Sequence, residues 1–166
     1  IIQTGKHQNL DLLLSNIQDL LTEQTVNKIA ADYYHFSQWL EQNASSSYEF
    51  IIVDPPASTS SLSINAMLAA DLIIVPLECE TLAIKSLKRF LQAFKELQRT
   101  IEPRLRLAGI LLTMYDDDIL SHRQVCKQIC KTLGDSVFET IIPNCQHILE
   151  ASSLGIDVIQ RHLNSA

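Results

Sequence analysis

Apolar positions along this chain follow two rhythms. Short continuous runs at residues 48–54, 71–76, 105–113 and 137–142 are rich in isoleucine, leucine and valine, the composition of strands buried on both faces of a parallel sheet. Between them, apolar residues recur every three or four positions. Leu20, Leu21, Ile29, Tyr33, Phe36 and Leu40 mark a helical stretch over 19–42, and 64–70 reads as a short helix. The longest helix is predicted over 81–101, where Ala83, Leu87, Phe90, Leu91, Phe94, Leu97 and Ile101 form one stripe and Pro103 ends it. Another is predicted over 120–133. Strands joined by helical crossovers of this length predict an α/β fold, a mostly parallel sheet with helices on both faces. With no internal repeat and no break in composition, residues 1–166 read as a single α/β domain.

The strand ends carry the candidate chemistry. The run ending at Val53 is closed by Asp54, Pro55 and Pro56, and prolines cannot continue a ladder. A carboxylate is thus expected at the carboxyl end of a core strand, where open α/β sheets bind ligands. Such an aspartate holds a magnesium ion through a water in phosphate-binding proteins of this class. Thr113, Met114, Tyr115 and Asp116 close a second strand, and Pro143 and Asn144 a third. If all three lie on one edge of the sheet, they line a shared ligand cleft.

Composition narrows the possibilities. A chain of 166 residues, 46% of them apolar, has enough material for one real core. No apolar run reaches the roughly 20 residues that span a bilayer, and no basic-then-apolar leader opens the chain. A cytoplasmic protein without a membrane partner is therefore expected. The formal charge of −6 argues against nucleic-acid binding by the whole surface and leaves room for a local patch. The candidate patch is Lys85, Lys88, Arg89, Lys95 and Arg99, opposite the apolar stripe of the long helix. Cys79, Cys126, Cys130 and Cys145 are too unevenly spaced for a disulfide framework. His122, Cys126 and Cys130 stack at i, i+4 and i+8, but zinc would need a fourth ligand. Val125, Ile129 and Leu133 beside them favour a core-edge role. No serine sits in G-x-S-x-G, which argues against an α/β hydrolase.

The order of these segments carries a family resemblance. Tyr48 through Asp54-Pro55-Pro56, then Ile64-Asn65-Ala66, Asp71 to Pro76, Gly109 to Asp116, Val137 to Pro143 and Glu150 to Gly155 together resemble the ParA/Soj/MinD group of deviant-Walker-A ATPases. The Leu111-Leu112-Thr113-Met114-Tyr115-Asp116 wording is most similar to the ParA/Soj partition branch. The resemblance runs from about Leu10 to Ala166. It implies a P-loop NTPase-like fold, ATP and Mg2+ as cofactors, a homodimer switched by ATP, nonspecific DNA binding and an activating partner protein in plasmid or chromosome partition. It also implies roles. Asp54, with Pro55 and Pro56, would orient the magnesium-bound water, and Thr113, Met114 and Pro143 would line the adenine. Hydrolysis in such proteins rests on positioning and charge neutralisation.

The sequence departs from the family in several places. It contains no glycine-rich phosphate loop; Gly5-Lys6 lacks the G-x-x-x-x-G spacing and, on the sequence, a preceding strand. Without a ring of backbone N–H groups around the phosphates, no residue of this chain is assigned a catalytic role, and the chain alone is not expected to hydrolyse ATP. The family's closing helix is also missing after Ala166, so a piece of a longer ATPase, its carboxyl-terminal two-thirds, is the leading expectation. Positions where the family carries arginines read Asp118, Asn144 and His147, and its lysine after the glycine is Ile156. These changes remove phosphate contacts. The alternative expectation is a nucleotide-independent interaction or scaffold module on the same fold.

Overall fold

The structure, a computed structural model, describes residues 2–4, 10–14, 20–44, 47–56, 60–155 and 158. Gly5-Lys6, Ser15-Asn16, Ala57-Ser58, Ile156 and the terminal Ala166 lie outside the described residues. The chain divides into two compact units, Ile1–Ala70 and Asp71–Ala166.

In the first unit, β1 (Ile2–Thr4) pairs antiparallel with β2 (Asp11–Leu13), Ile2 opposite Leu13 and Thr4 opposite Asp11. The strand before Gly5 is a correction to the sequence reading, which saw none. Three helices follow, α1 (Leu20–Ile29), α2 (His35–Asn43) and α3 (Ser61–Ala69). The single helical stretch expected over 19–42 is thus two helices. The break falls where the Asp32 carboxylate accepts the Tyr34 N–H at 3.0 Å, a local bond that competes with the helical ladder. Asn65 of α3 is the polar centre of this unit. Only 4% exposed, it donates from Nδ2 to the carbonyls of Ala30 (2.8 Å) and Ser61 (3.1 Å), and its Oδ1 accepts the Phe36 N–H at 3.3 Å. One amide therefore ties the end of α1 and the start of α2 to α3. The helix α3 begins three residues earlier than its apolar pattern suggests, because Ser60 is its N-cap, its Oγ 3.5 Å from the Ser63 N–H.

The expected core strand before Asp54 is the main correction. Residues 50–56 belong to no strand, and Phe50 and Ile52 are 81% and 93% exposed. A strand exists by its ladder bonds to a neighbour, and no described strand pairs with this segment.

The second unit is a three-stranded parallel sheet in the order β3-β4-β5, made of β3 (Ile73–Glu78), β4 (Leu107–Tyr115) and β5 (Val137–Pro143). Two helices, α4 (Thr81–Thr100) and α5 (Leu120–Leu133), are the crossovers. Val75 and Leu77, Ile110 and Leu112, and Val137 and Ile141 meet Leu87 and Leu91 of α4 and Val125 and Ile129 of α5 in one core. Alternation along each strand puts these residues on one face. Pro76 does not close β3, as the sequence suggested; it lies within it, opposite Leu111. Proline is tolerated there because β3 is the outer strand of this sheet. Gly109 makes room for a neighbour: a Cβ on it would lie 2.9 Å from the Phe138 ring of β5, which would have to shift. After α5, a short 3-10 turn at Gly134–Ser136 feeds β5, and α6 (Gln146–Leu154) ends at Gly155, whose φ of 62° is the left-handed conformation of a helix stop.

Candidate functional site

The parallel register of the second unit aligns its strand exits. Glu78 pairs with Thr113 and Tyr115 with Pro143, so β3, β4 and β5 terminate side by side. The Asn144 N–H donates to the Tyr115 carbonyl at 2.7 Å and holds the two exits together. Thr113, Met114 and Pro143 are therefore brought together on one edge, while Asp54, Pro55 and Pro56 lie in the other unit. Met114 is the special residue. Its φ of 53° is the left-handed region, uncommon for a residue with a side chain, and strained conformations of this kind cluster at functional sites. Its side chain is 42% exposed, an apolar surface presented at the strand exits.

A polar brace stabilises this turn. The Tyr115 hydroxyl donates to Asp117 Oδ1 at 2.8 Å, Asp116 Oδ1 accepts the Asp118 N–H at 2.9 Å, and the Asp116 N–H donates to His122 Nδ1 at 3.1 Å. Arg123 reaches back to the Asp117 carbonyl. The carboxylate beside it pushes the Tyr115 phenol up to about 12. His122 thus braces a loop through its ring nitrogen, and among the described residues no group of three or more His, Cys, Asp or Glu can hold a metal ion. The zinc arrangement considered from spacing is not formed. The sequence reading also missed this brace and Glu78, since neither has a motif; both emerge only from strand register and loop geometry.

Asp54, Pro55 and Pro56 are all exposed. The Pro56 carbonyl accepts the Ser63 hydroxyl at 2.9 Å, so the loop after Asp54 is anchored to the first turn of α3. On α4, Lys85, Lys88, Arg89, Lys95 and Arg99 are exposed, away from buried Leu87 and Phe94. Arg99 is spent in part on Glu96, at 2.9 Å. Among the described residues no helix is long and apolar enough to cross a membrane.

A parallel sheet with helical crossovers is the architecture of the P-loop NTPase-like α/β proteins. Comparison with known proteins makes this specific. A family model described as "AAA domain" matches residues 1–107. The chain is 32% identical over 158 residues to the chromosome partitioning protein ParA of Caulobacter vibrioides, covering 95% of this chain and 59% of that protein. It is 38% identical over 113 residues to the chromosome-partitioning ATPase Soj of Thermus thermophilus, covering 68% and 45%. Among solved structures, cobyrinic acid a,c-diamide synthase of Mycobacterium smegmatis with bound ATP analog and magnesium is similar at 26% identity and a TM-score of 0.73, covering 93% of this chain and 67% of that one. The chain belongs to the ParA/Soj/MinD family of ATPases. It spans about 59% of the length of the Caulobacter relative.

Proposed function

We propose that this chain is the switch portion of an ATP-dependent partition protein, a single α/β domain corresponding to the carboxyl-terminal two-thirds of a ParA-like ATPase. In this reading Thr113, Met114 and Pro143 receive the adenine of ATP, and Asp54, with Pro55 and Pro56, orients magnesium-bound water. The protein works as a cytoplasmic homodimer that binds DNA nonspecifically through Lys85, Lys88, Arg89, Lys95 and Arg99. A partner protein stimulates hydrolysis and resets it. No residue of this chain is assigned as catalytic.

The observation that carries this reading is the convergence of Thr113, Met114 and Pro143 at the strand exits, with Met114 held in a left-handed conformation. The chemistry of the donor set fits magnesium. That ion keeps several waters and takes one or two carboxylates together with substrate phosphates, rather than a cage of protein ligands. An exposed carboxylate at Asp54 suits that role, and the ion would supply neutralisation of phosphate charge.

Titration of a fluorescent ATP analogue followed by anisotropy, with and without Mg2+, tests the proposal. Magnesium-dependent binding is expected, weakened at least about tenfold in Asp54→Ala, the equivalent of about 1.4 kcal/mol. The same weakening should not occur in Asp71→Ala, an exposed acid outside the proposed site. Wild-type protein that ignores the nucleotide would overturn the switch. The nucleotide-independent module would then be favoured, a reading already supported by Asp118, Asn144 and His147 standing where the family carries arginines.

A further inference from the structure

All four cysteines lie in the second unit, and three of them form a series between its core and solvent. Cys79, at the end of β3, is fully buried; Cys126, on α5, is half-buried and packs against the core that contains Cys79; Cys130, one turn further along α5, is exposed. Cys126 and Cys130 stand at i and i+4 on α5, neighbours one turn apart on the helix surface. All are free thiols. The series runs from solvent to core, with the outermost thiol one helical turn from the next.

We propose that Cys130 and Cys126 form a peroxide-sensitive pair, with Cys130 the thiol attacked first and Cys126 the resolving thiol. The exposed Cys130 sulfur attacks a hydroperoxide, the O–O bond breaks, and Cys130 becomes a sulfenic acid with release of water or alcohol. The Cys126 sulfur then attacks the Cys130 sulfur, the S–O bond breaks, water leaves, and a disulfide joins the two. Two thiols are oxidised and one peroxide is reduced. The division of roles follows from exposure, since redox-sensing thiols are accessible and sit beside a resolving cysteine. Burial, with Cys130 alongside, pushes the Cys126 thiol up to about 11, so it meets the oxidant second, and since its attack requires the thiolate, closure of the disulfide is expected to quicken as pH rises.

The disulfide would act on the helix. Residues at i and i+4 hold their Cβ atoms about 5–6 Å apart in an α-helix, whereas a disulfide wants about 3.5–4.5 Å. Closing the bond must therefore distort the turn. That turn is connected: the Cys130 carbonyl accepts the Gly134 N–H that ends α5, and Gly134 begins the 3-10 turn leading into β5. Oxidation is expected to loosen residues 126–136, and reduction to restore them.

Treating the protein with hydrogen peroxide and mapping its peptides is the test. The expected product is a Cys126–Cys130 link within one chain, reversed by dithiothreitol, with faster amide hydrogen exchange over 126–136. Cys130→Ser should lose both the link and the exchange change, and Cys145→Ser should keep both. Cys130 oxidised to sulfinic acid beside a free Cys126, a link between other cysteines or between chains, or a link that leaves exchange unchanged would each overturn the proposal. A probe independent of any variant is phenylarsine oxide, which condenses with two adjacent thiols and releases one water. The folded wild-type protein should be bridged at Cys126 and Cys130, and failure to react there would count equally against the pair.

Discussion

At the scale of single residues, two polar side chains have consequences that can be measured. Asn65 satisfies two carbonyls and one N–H inside the first unit. Truncation removes those three bonds, of which the one to the Ala30 carbonyl is buried, and a buried unsatisfied group costs about 1–3 kcal/mol. Asn65→Ala should therefore lower the urea midpoint of the first unit by the equivalent of about 2 kcal/mol or more, read by circular dichroism. Tyr115 concerns pH. Its folded pKa of about 12 lies above the ordinary phenol value of 10.0, because its proton is held by Asp117. A raised pKa means that the bond's stabilisation is fully present below pH 10 and is lost as pH rises toward 12. Absorbance titration at alkaline pH should show a late-ionising phenol that disappears in Tyr115→Phe. The variant should also lose less stability than wild type between those pH values. Asn65 appeared in the sequence only as part of a family wording; its structural role needed the geometry of three helices.

At the scale of elements, the periodic segments were the legible ones. The helix α5 occupies Leu120–Leu133, the range its pattern predicts, and α4 differs by one residue at its end. Both have an apolar stripe long enough to identify the period without ambiguity. Of the strands, β3 and β4 keep their predicted lengths but begin and end two residues later, and the run over 48–54 forms none, because ladder bonding to a neighbour, not side-chain composition, decides where a strand starts and stops. The α4 charges make a prediction at this scale. If the helix contacts DNA phosphates, replacing Lys85, Lys88 and Arg89 together by alanine removes up to three contacts. The slope of log affinity against log salt should become shallower by about 3, with little change between DNA sequences. An unchanged slope in a gel-shift or anisotropy series would remove α4 from the interface. Alanine is a good helix former, so the helix itself should persist.

At the scale of the whole molecule, the sequence by itself determined the class. Alternating buried runs and helical stripes demand parallel strands with crossovers, and the order of short motifs carried the likeness to the ParA/Soj/MinD family that the comparisons establish. Those features are local or sequential, so one dimension is enough to hold them. Tertiary structure alone decided the rest. It left residues 50–56 outside any strand despite their isoleucines, since a strand requires a partner and composition cannot supply one. It put Pro76 inside an outer strand, where its missing N–H does no harm. Strand register set Thr113, Met114 and Pro143 on one edge, and packing of α5 on the sheet graded three cysteines from solvent to core. Register and packing join residues far apart in the chain, and their energies depend on distances that no linear pattern encodes.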